Sequence, residues 1–228
     1  MKYDPAYIVM LTYNDLTVEN AFETFDSCKN TAAKCFGIKE EPLSLYEMKK
    51  IISYMKECGK TTFIEIVRYD EEGAFEGTQK AVQCGCDYLM GTVYSDKIND
   101  LCLEHGIKYL PFIGELSGRP SVLKGSIEYI IEEANKLFKK GIFGFDLLGY
   151  RYEGDAKCLV ERFVNEVSAP VCVAGSINSY ERLEEINAIS PWGYTMGSAL
   201  FDNCFGNGFS EQIENVCNYM KKLRRAAK

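Results

Sequence analysis

The chain has 228 residues, 46% of them hydrophobic and 26% charged, with a formal net charge of -7. That balance places it among globular proteins and gives it enough length to bury a sizeable core without staples. The acidic surplus argues against a general nucleic-acid binder, because no basic excess exists to neutralise a phosphate backbone, yet a small anion held by a few local amides stays compatible.

No stretch reaches the roughly 18 apolar residues of a membrane span, so no membrane partner is expected. The opening segment MKYDPAYIVML lacks a charged start followed by an unbroken apolar run, so no signal peptide is expected either. Ten cysteines are scattered along the chain. The closest pair, Cys84 and Cys86, is a C-x-C without the second knuckle that zinc requires. They read as small apolar core residues of a cytoplasmic protein in a reducing compartment, and no metal or other cofactor is expected.

Short apolar runs alternate with amphipathic helix patterns from end to end. Tyr7–Thr12 precedes a helix opening near Thr17, Lys34–Lys39 a helix from Ser44, and Thr61–Arg68 a helix from Glu71. Asp87–Val93 leads to a helix from Ser95, and Lys108–Ile113 to one from Ser126. Gly141–Leu148 leads to a helix over Ala156–Val167, Pro170–Ala174 to one over Ser179–Ile189, and Trp192–Met196 to a last helix over Ser210–Arg225. Ser44, Ser95, Ser126 and Ser179 suit N-caps, and Glu47 completes a capping box with Ser44. Gly59, Gly85, Gly106 and Gly141 fall where helices must turn back into strands.

Eight βα units in this length predict a single-domain (β/α)8 TIM barrel over residues 1–228. An open doubly wound sheet is the rival, but the G-x-G-x-x-G of its first turn is missing. The basic tail KKLRRAAK reads as a solvated helix end favoured by its dipole.

Two loops carry the most specific signal. After strand seven the chain reads Ala174-Gly175-Ser176-Ile177-Asn178-Ser179, and after strand eight Met196-Gly197-Ser198-Ala199-Leu200-Phe201. Glycine lets backbone N–H groups approach an anion, and barrels of this type hold phosphate at this pair of loops. Gly175, Ser176, Asn178, Gly197 and Ser198 are therefore the candidate phosphate-binding residues, although glycines also simply end strands elsewhere in this chain.

Strand alternation sorts the remaining polar residues. It turns Cys35, Gly37 and Lys39 of strand two into the lumen, with Phe63, Glu65 and Val67 of strand three and Gly144 and Asp146 of strand six. Lys39, Glu65 and Asp146 converge on this reading as candidate catalytic groups, since a barrel keeps such charges only if they pair or act on a ligand. Asn14, Arg68, Thr92 and Arg151 are the candidate substrate contacts. Asp70, Glu115 and Arg119 fall on the rim, and His105 sits at a helix end away from the mouth as a structural residue.

The segments APVCVAGSINSYERLEEI and PWGYTMGSALF resemble the closing quarter of the ribulose-phosphate-binding barrels. Within that group they are most similar to N-acetylmannosamine-6-phosphate 2-epimerases and the ProFAR isomerases of histidine biosynthesis. GFDLLGYRYEGD is similar to the epimerase strand that ends in a Gly-Tyr loop. The resemblance covers roughly the last 90 residues. It implies phosphate binding but not the catalytic pairs. Ala174 stands where the epimerases carry a glutamate, and Glu65 and Arg68 stand on strand three in place of their lysine. Asp15 and Glu115 are the nearest counterparts of the ProFAR aspartates, and Asp146 stands where Schiff-base aldolases place a lysine.

The expected function is an isomerase or epimerase of carbohydrate metabolism that transfers a proton on a phosphorylated sugar or related metabolite. The alternatives are a lyase, either an aldolase using Lys39 as an imine-forming nucleophile or an enolate-forming decarboxylase, and a non-catalytic sensor of a phosphorylated metabolite. Self-association into a homo-oligomer is left open.

Overall fold

Eight parallel strands, each too short to stand alone, make one sheet that curls back on itself. They are Ala6–Met10 (β1), Cys35–Lys39 (β2), Thr61–Ile66 (β3), Tyr88–Gly91 (β4), Lys108–Leu110 (β5), Phe145–Leu147 (β6), Val171–Val173 (β7) and Gly193–Met196 (β8). Hydrogen bonding runs in the order β6-β7-β8-β1-β2-β3-β4-β5. The seam from β5 to β6 is closed by a parallel bridge between Phe112 and Asp146 and by the Asp146 amide donating to the Pro111 carbonyl at 3.0 Å. This computed structural model describes residues 4–226; residues 1–3 and 227–228, the tips of the opening segment and of the basic tail, lie outside the described residues.

Around the barrel run α1 (Ala21–Cys28), α2 (Leu45–Glu57), α3 (Glu71–Cys84), α4 (Asp96–Glu104), α5 (Ile127–Phe138), α6 (Ala156–Glu166) and α7 (Tyr180–Ile189). A single turn, α8 (Ser198–Phe201), follows β8, and α9 (Phe209–Ala226) ends the described chain. Ser44 caps α2 with a complete capping box, and Ser126 and Ser179 cap α5 and α7. Ser95 makes no side-chain cap, because its hydroxyl donates to Glu71 instead at 2.5 Å. Gly85 ends α3 in the left-handed region at φ 66°, which a side chain would strain.

Two features depart from the simple strand–helix rhythm. Where the first helix was expected near Thr17, Thr12–Tyr13 and Leu16–Thr17 form an antiparallel hairpin, and α1 starts four residues later at Ala21. A second hairpin pairs Glu115–Ser117 with Val122–Lys124 between β5 and α5.

The alternation within strands separates two cores. Val9, Phe36, Ile38, Ile64, Ile66, Leu89, Phe145 and Leu147 face the helices, whereas Ile8, Met10, Phe63, Tyr88, Met90, Leu110 and Cys172 fill the lumen. At the barrel floor Phe63 stacks on Tyr88 at 4.5 Å between ring centroids, and Trp192 packs against Tyr88 and Phe143 at 5.4 and 5.2 Å. The lower lumen is thus an apolar plug, and the open space lies above it, at the C-terminal strand ends.

A candidate active site at the barrel mouth

The polar groups of the mouth follow from strand register. Lys39 and Glu65 are direct partners in the β2–β3 pairing, and Asp146 lies opposite Cys172 in the β6–β7 pairing. Lys39 Nζ is 3.2 Å from Glu65 Oε1, and both side chains are buried. Neither ion could be held this deep without its partner. A second carboxylate completes the arrangement: Lys39 Nζ donates to Asp15 Oδ1 at 3.0 Å. Burial alone would lower the Lys39 ammonium's pKa, but Glu65 and Asp15 outweigh it and hold the group above its ordinary value, so Lys39 stays protonated.

Asp15 is the group that the strand pattern did not single out as a site residue. Asn14 and Asp15 are the two central residues of the first hairpin, with φ of 49° and 63°. Two consecutive positive values mark a type I′ turn, which Asn and Asp tolerate better than most residues. The Tyr13-Asn14-Asp15-Leu16 sequence was the available signal for it. The turn lifts Asp15 over the mouth, where it accepts from Lys39 and, through both oxygens, from Arg151 Nη1 at 3.1 and 3.0 Å. The Ser121 amide of the second hairpin also donates to Asp15 Oδ2 at 3.2 Å. Burial pushes the Asp15 carboxyl up, but Lys39 and Arg151 win and keep it below its ordinary value.

Thr17 anchors the hairpin to β2 by accepting from the Lys39 amide at 2.8 Å and donating to the Lys39 carbonyl at 2.7 Å. Asn14 contributes its backbone: its amide donates to Ser198 Oγ at 3.2 Å, while its side chain is exposed.

Asp146 is fully buried beneath this layer, and neither carboxyl oxygen has a hydrogen-bond partner among the described residues. Burial, reinforced by the nearby charge of Glu65, raises its pKa well above the ordinary carboxylate range, and Lys39 and Arg151 offset only part of this. Asp146 therefore resists ionisation. It faces the lumen as the alternation requires, but it does not line the open cavity.

That cavity holds about 180 Å³ and is bounded by Met10, Thr12, Asp15, Lys39, Glu65 and Arg151 on one side. The β7 loop, from Ala174 to Asn178, and the β8 loop, from Met196 to Ala199, close the other. Gly175 has φ 84°, and a Cβ there would sit 2.7 Å from Arg151 Cγ. A Cβ on Gly197 would sit 2.4 Å from Thr12 Oγ1. Both glycines are thus required by close approach of a neighbour. The amides of Gly175, Ser176 and Ser198 donate to no other group among the described residues and border the same cavity.

Two of the expected contacts lie elsewhere. Arg68 does not line the cavity; its Nε donates to Glu40 Oε1 at 3.0 Å and its Nη2 to Glu41. Thr92 sits at φ 65°, directly after Gly91 at φ 81°. This pair of positive values breaks the alternation, and the Thr92 hydroxyl turns to the Tyr109 hydroxyl at 2.5 Å instead of the lumen. Of the rim residues, Asp70 caps α3 through the Gly73 amide; Val67, expected in the lumen, packs with the outer core because β3 and its alternation end at Ile66. No group of three or more His, Cys, Asp or Glu able to hold a metal occurs among the described residues.

No protein-family description matches the chain, and no curated protein sequence matches it. Solved structures do. Orotidine 5′-phosphate decarboxylase from Pyrococcus horikoshii superposes with a TM-score of 0.66 at 16% identity, over 94% of this chain and 99% of that one. N-acetylmannosamine-6-phosphate 2-epimerase from Clostridium perfringens gives 0.62 at 15% identity, over 85% and 86%. A 4-hydroxy-2-oxoglutarate/2-dehydro-3-deoxyphosphogluconate aldolase gives 0.63 at 15% identity, over 96% and 94%. The chain is a (β/α)8 barrel of the same fold as these three. That agrees with the architecture expected from the strand–helix rhythm, and the epimerase is among the proteins that the closing loops resemble. Among the described residues no helix is long and apolar enough to cross a membrane.

Proposed function

We propose that the barrel is an isomerase of a small phosphorylated sugar, moving a proton between neighbouring carbon atoms through an enediol. The observation that carries this reading is the mouth itself: a protonated Lys39 beside the Glu65 carboxylate at 3.2 Å, across one cavity from the glycine loops at Gly175 and Gly197. The free amides of Gly175, Ser176 and Ser198 suit a phosphate, with Asn178 and the uncommitted guanidinium edge of Arg151 beside them.

Glu65 then serves as the base that removes the proton beside the carbonyl, and the Lys39 ammonium donates to the oxygen on which charge develops. Because the two groups come from adjacent strands, they address one face of the substrate. That fits a proton shuttled between adjacent carbons better than an epimerisation needing an acid and a base on opposite faces. Asp146, just below, resists ionisation and so disfavours a third negative charge in the layer.

Size and charge narrow the substrate. A cavity of about 180 Å³ falls below the roughly 300–1,000 Å³ of sites for larger ligands and favours a short sugar phosphate over a nucleotide. Lys39 and Arg151 are already matched by Asp15 and Glu65, which leaves no surplus cation for a second acidic group on the ligand. Imine formation at Lys39 is disfavoured for the same reason, since its nitrogen is held protonated. The residual cavity speaks against a purely structural ion cluster.

The test is proton NMR of triose to hexose phosphates incubated with the protein in deuterium oxide. The expected result is loss of the signal beside the carbonyl of one compound without carbon–carbon cleavage, slowed about 10²–10⁴-fold in Glu65→Gln. Exchange with none of them, or cleavage products, would overturn the reading.

A further inference from the structure

The second hairpin is not an idle insertion. We infer that it is a latch over the mouth, and that Asp15 is the positioning residue through which its closure sets Lys39 and Arg151. This rests on the reading of the mouth given above, and it adds to that reading a movable element that governs it.

The hairpin reaches to the loops after β2 and β3. Arg119 donates through Nη2 to the Val67 carbonyl at 2.8 Å and through Nη1 to Glu41 Oε2 at 2.6 Å. Tyr69 donates its hydroxyl to Ser121 Oγ at 2.5 Å and approaches the Gly118 carbonyl at 3.2 Å. With these contacts made, Ser121 is buried and its amide reaches Asp15 Oδ2, the oxygen that Arg151 also holds. Asp15, in the turn of the first hairpin, thus touches the second hairpin and both cations of the mouth.

The contacts are of unequal strength. Tyr69, Arg119 and Glu41 are each partly exposed, so water competes for their hydrogen bonds, whereas the Lys39–Asp15 pair is buried. The second strand of the hairpin is anchored, since Leu123 is fully buried and bridges to Tyr152. The part tied by partly wet polar contacts is therefore the tip around Gly118–Ser121, and that tip opens at lower free energy than the strands beneath it. Opening removes the Ser121 amide from Asp15 and admits water to Lys39. Closing restores the donor and fixes the carboxylate against Lys39 and Arg151. Asp15 needs no contact with the reacting atoms for this role.

The experiment uses the whole protein without substrate. Amide hydrogen exchange is followed across residues 115–124, and the reactivity of Lys39 is followed by trace acetylation with acetic anhydride and mass spectrometry. The double variant Tyr69→Phe/Arg119→Ala loosens the latch without touching the mouth. It is expected to speed exchange in the hairpin and acetylation of Lys39 together, each by about tenfold. Asp15→Asn is expected to raise both as well. If Asp15→Asn fails to fold, Tyr69→Phe alone supplies the milder case, with the same joint rise at smaller amplitude.

Faster hairpin exchange with Lys39 reactivity unchanged would overturn the coupling, and so would unchanged exchange in the double variant. Because neither measurement involves a phosphorylated compound, a failure here leaves the isomerase reading standing. A protein that binds no sugar phosphate while the coupled response persists would sink only that earlier reading.

Discussion

The lumen holds two layers that obey opposite rules. The floor, made by Phe63, Tyr88, Phe143 and Trp192, is an aromatic stack that plugs the lower lumen. The mouth, a few residues further along the same strands, gathers Lys39, Glu65 and Asp146 with Asp15 and Arg151, at a desolvation cost that apolar side chains would avoid. Phe63 and Glu65 are two residues apart on one strand and face the same way. One strand therefore carries both an apolar floor residue and a buried charge of the proposed site, and the two layers differ along the barrel axis.

The largest effect that separates them is expected at the floor. Phe63→Ala removes a fully buried ring and is expected to cost about 3–5 kcal/mol in chemical denaturation, while phosphate binding persists in the folded fraction. Equal damage to binding would mean that the layers are not separable.

At the mouth the sign reverses. Burial holds the Asp146 carboxyl above its ordinary pKa in the folded state and unfolding releases it, so its burial costs stability progressively as pH rises above the usual carboxylate range. Asp146→Asn is accordingly expected to raise the melting temperature at pH 7, with the gain fading at pH 3.5 and below. A loss of stability at pH 7 would show that the carboxyl has a partner in solution.

Glu40, just outside the mouth, tests the same logic more gently. Burial, countered only in part by Arg68, pushes its carboxyl from 4.5 to about 7. Stability contributed by this group is present below pH 4.5 and lost as pH climbs to about 7. Glu40→Gln, which can still accept from Arg68, is expected to gain up to about 3 kcal/mol at pH 8 relative to wild type and almost nothing at pH 4. A pH-independent difference would contradict the assignment. The smallest effect belongs to neither layer: breaking the exposed Glu132–Lys136 pair on α5 is expected to leave the melting temperature unchanged within measurement error.

Much of this was legible from residues alone because the barrel repeats two simple periods. Period-two alternation assigned Lys39, Glu65 and Asp146 to the lumen, and the paired glycine loops marked the wall opposite them. What stayed hidden depended on local backbone reversals. Asp15 reaches the mouth only through the Asn14–Asp15 turn, and Thr92 leaves it because Gly91 and Thr92 both take positive φ. Arg68 was legible as a charge near a strand end, but its partner choice was not, since Glu40 and Glu41 meet it across a different loop. The second hairpin, read only as a rim loop, is long-range in its consequences because its contacts lie about 50 residues away, at Val67 and Tyr69, or more than 100 away, at Asp15.

The central claim is that the loops at Gly175 and Gly197 cradle a phosphate beside Lys39 and Glu65. Its most direct test is a thermal-shift titration of the wild-type protein and Ser198→Asp with inorganic phosphate and a series of sugar phosphates. The account predicts saturable stabilisation of the wild type, near 2.7 kcal/mol at a hundred times Kd, and no response from a folded Ser198→Asp protein with an unchanged ligand-free melting temperature. A wild type indifferent to every phosphorylated compound, or an undiminished response in Ser198→Asp, would contradict it.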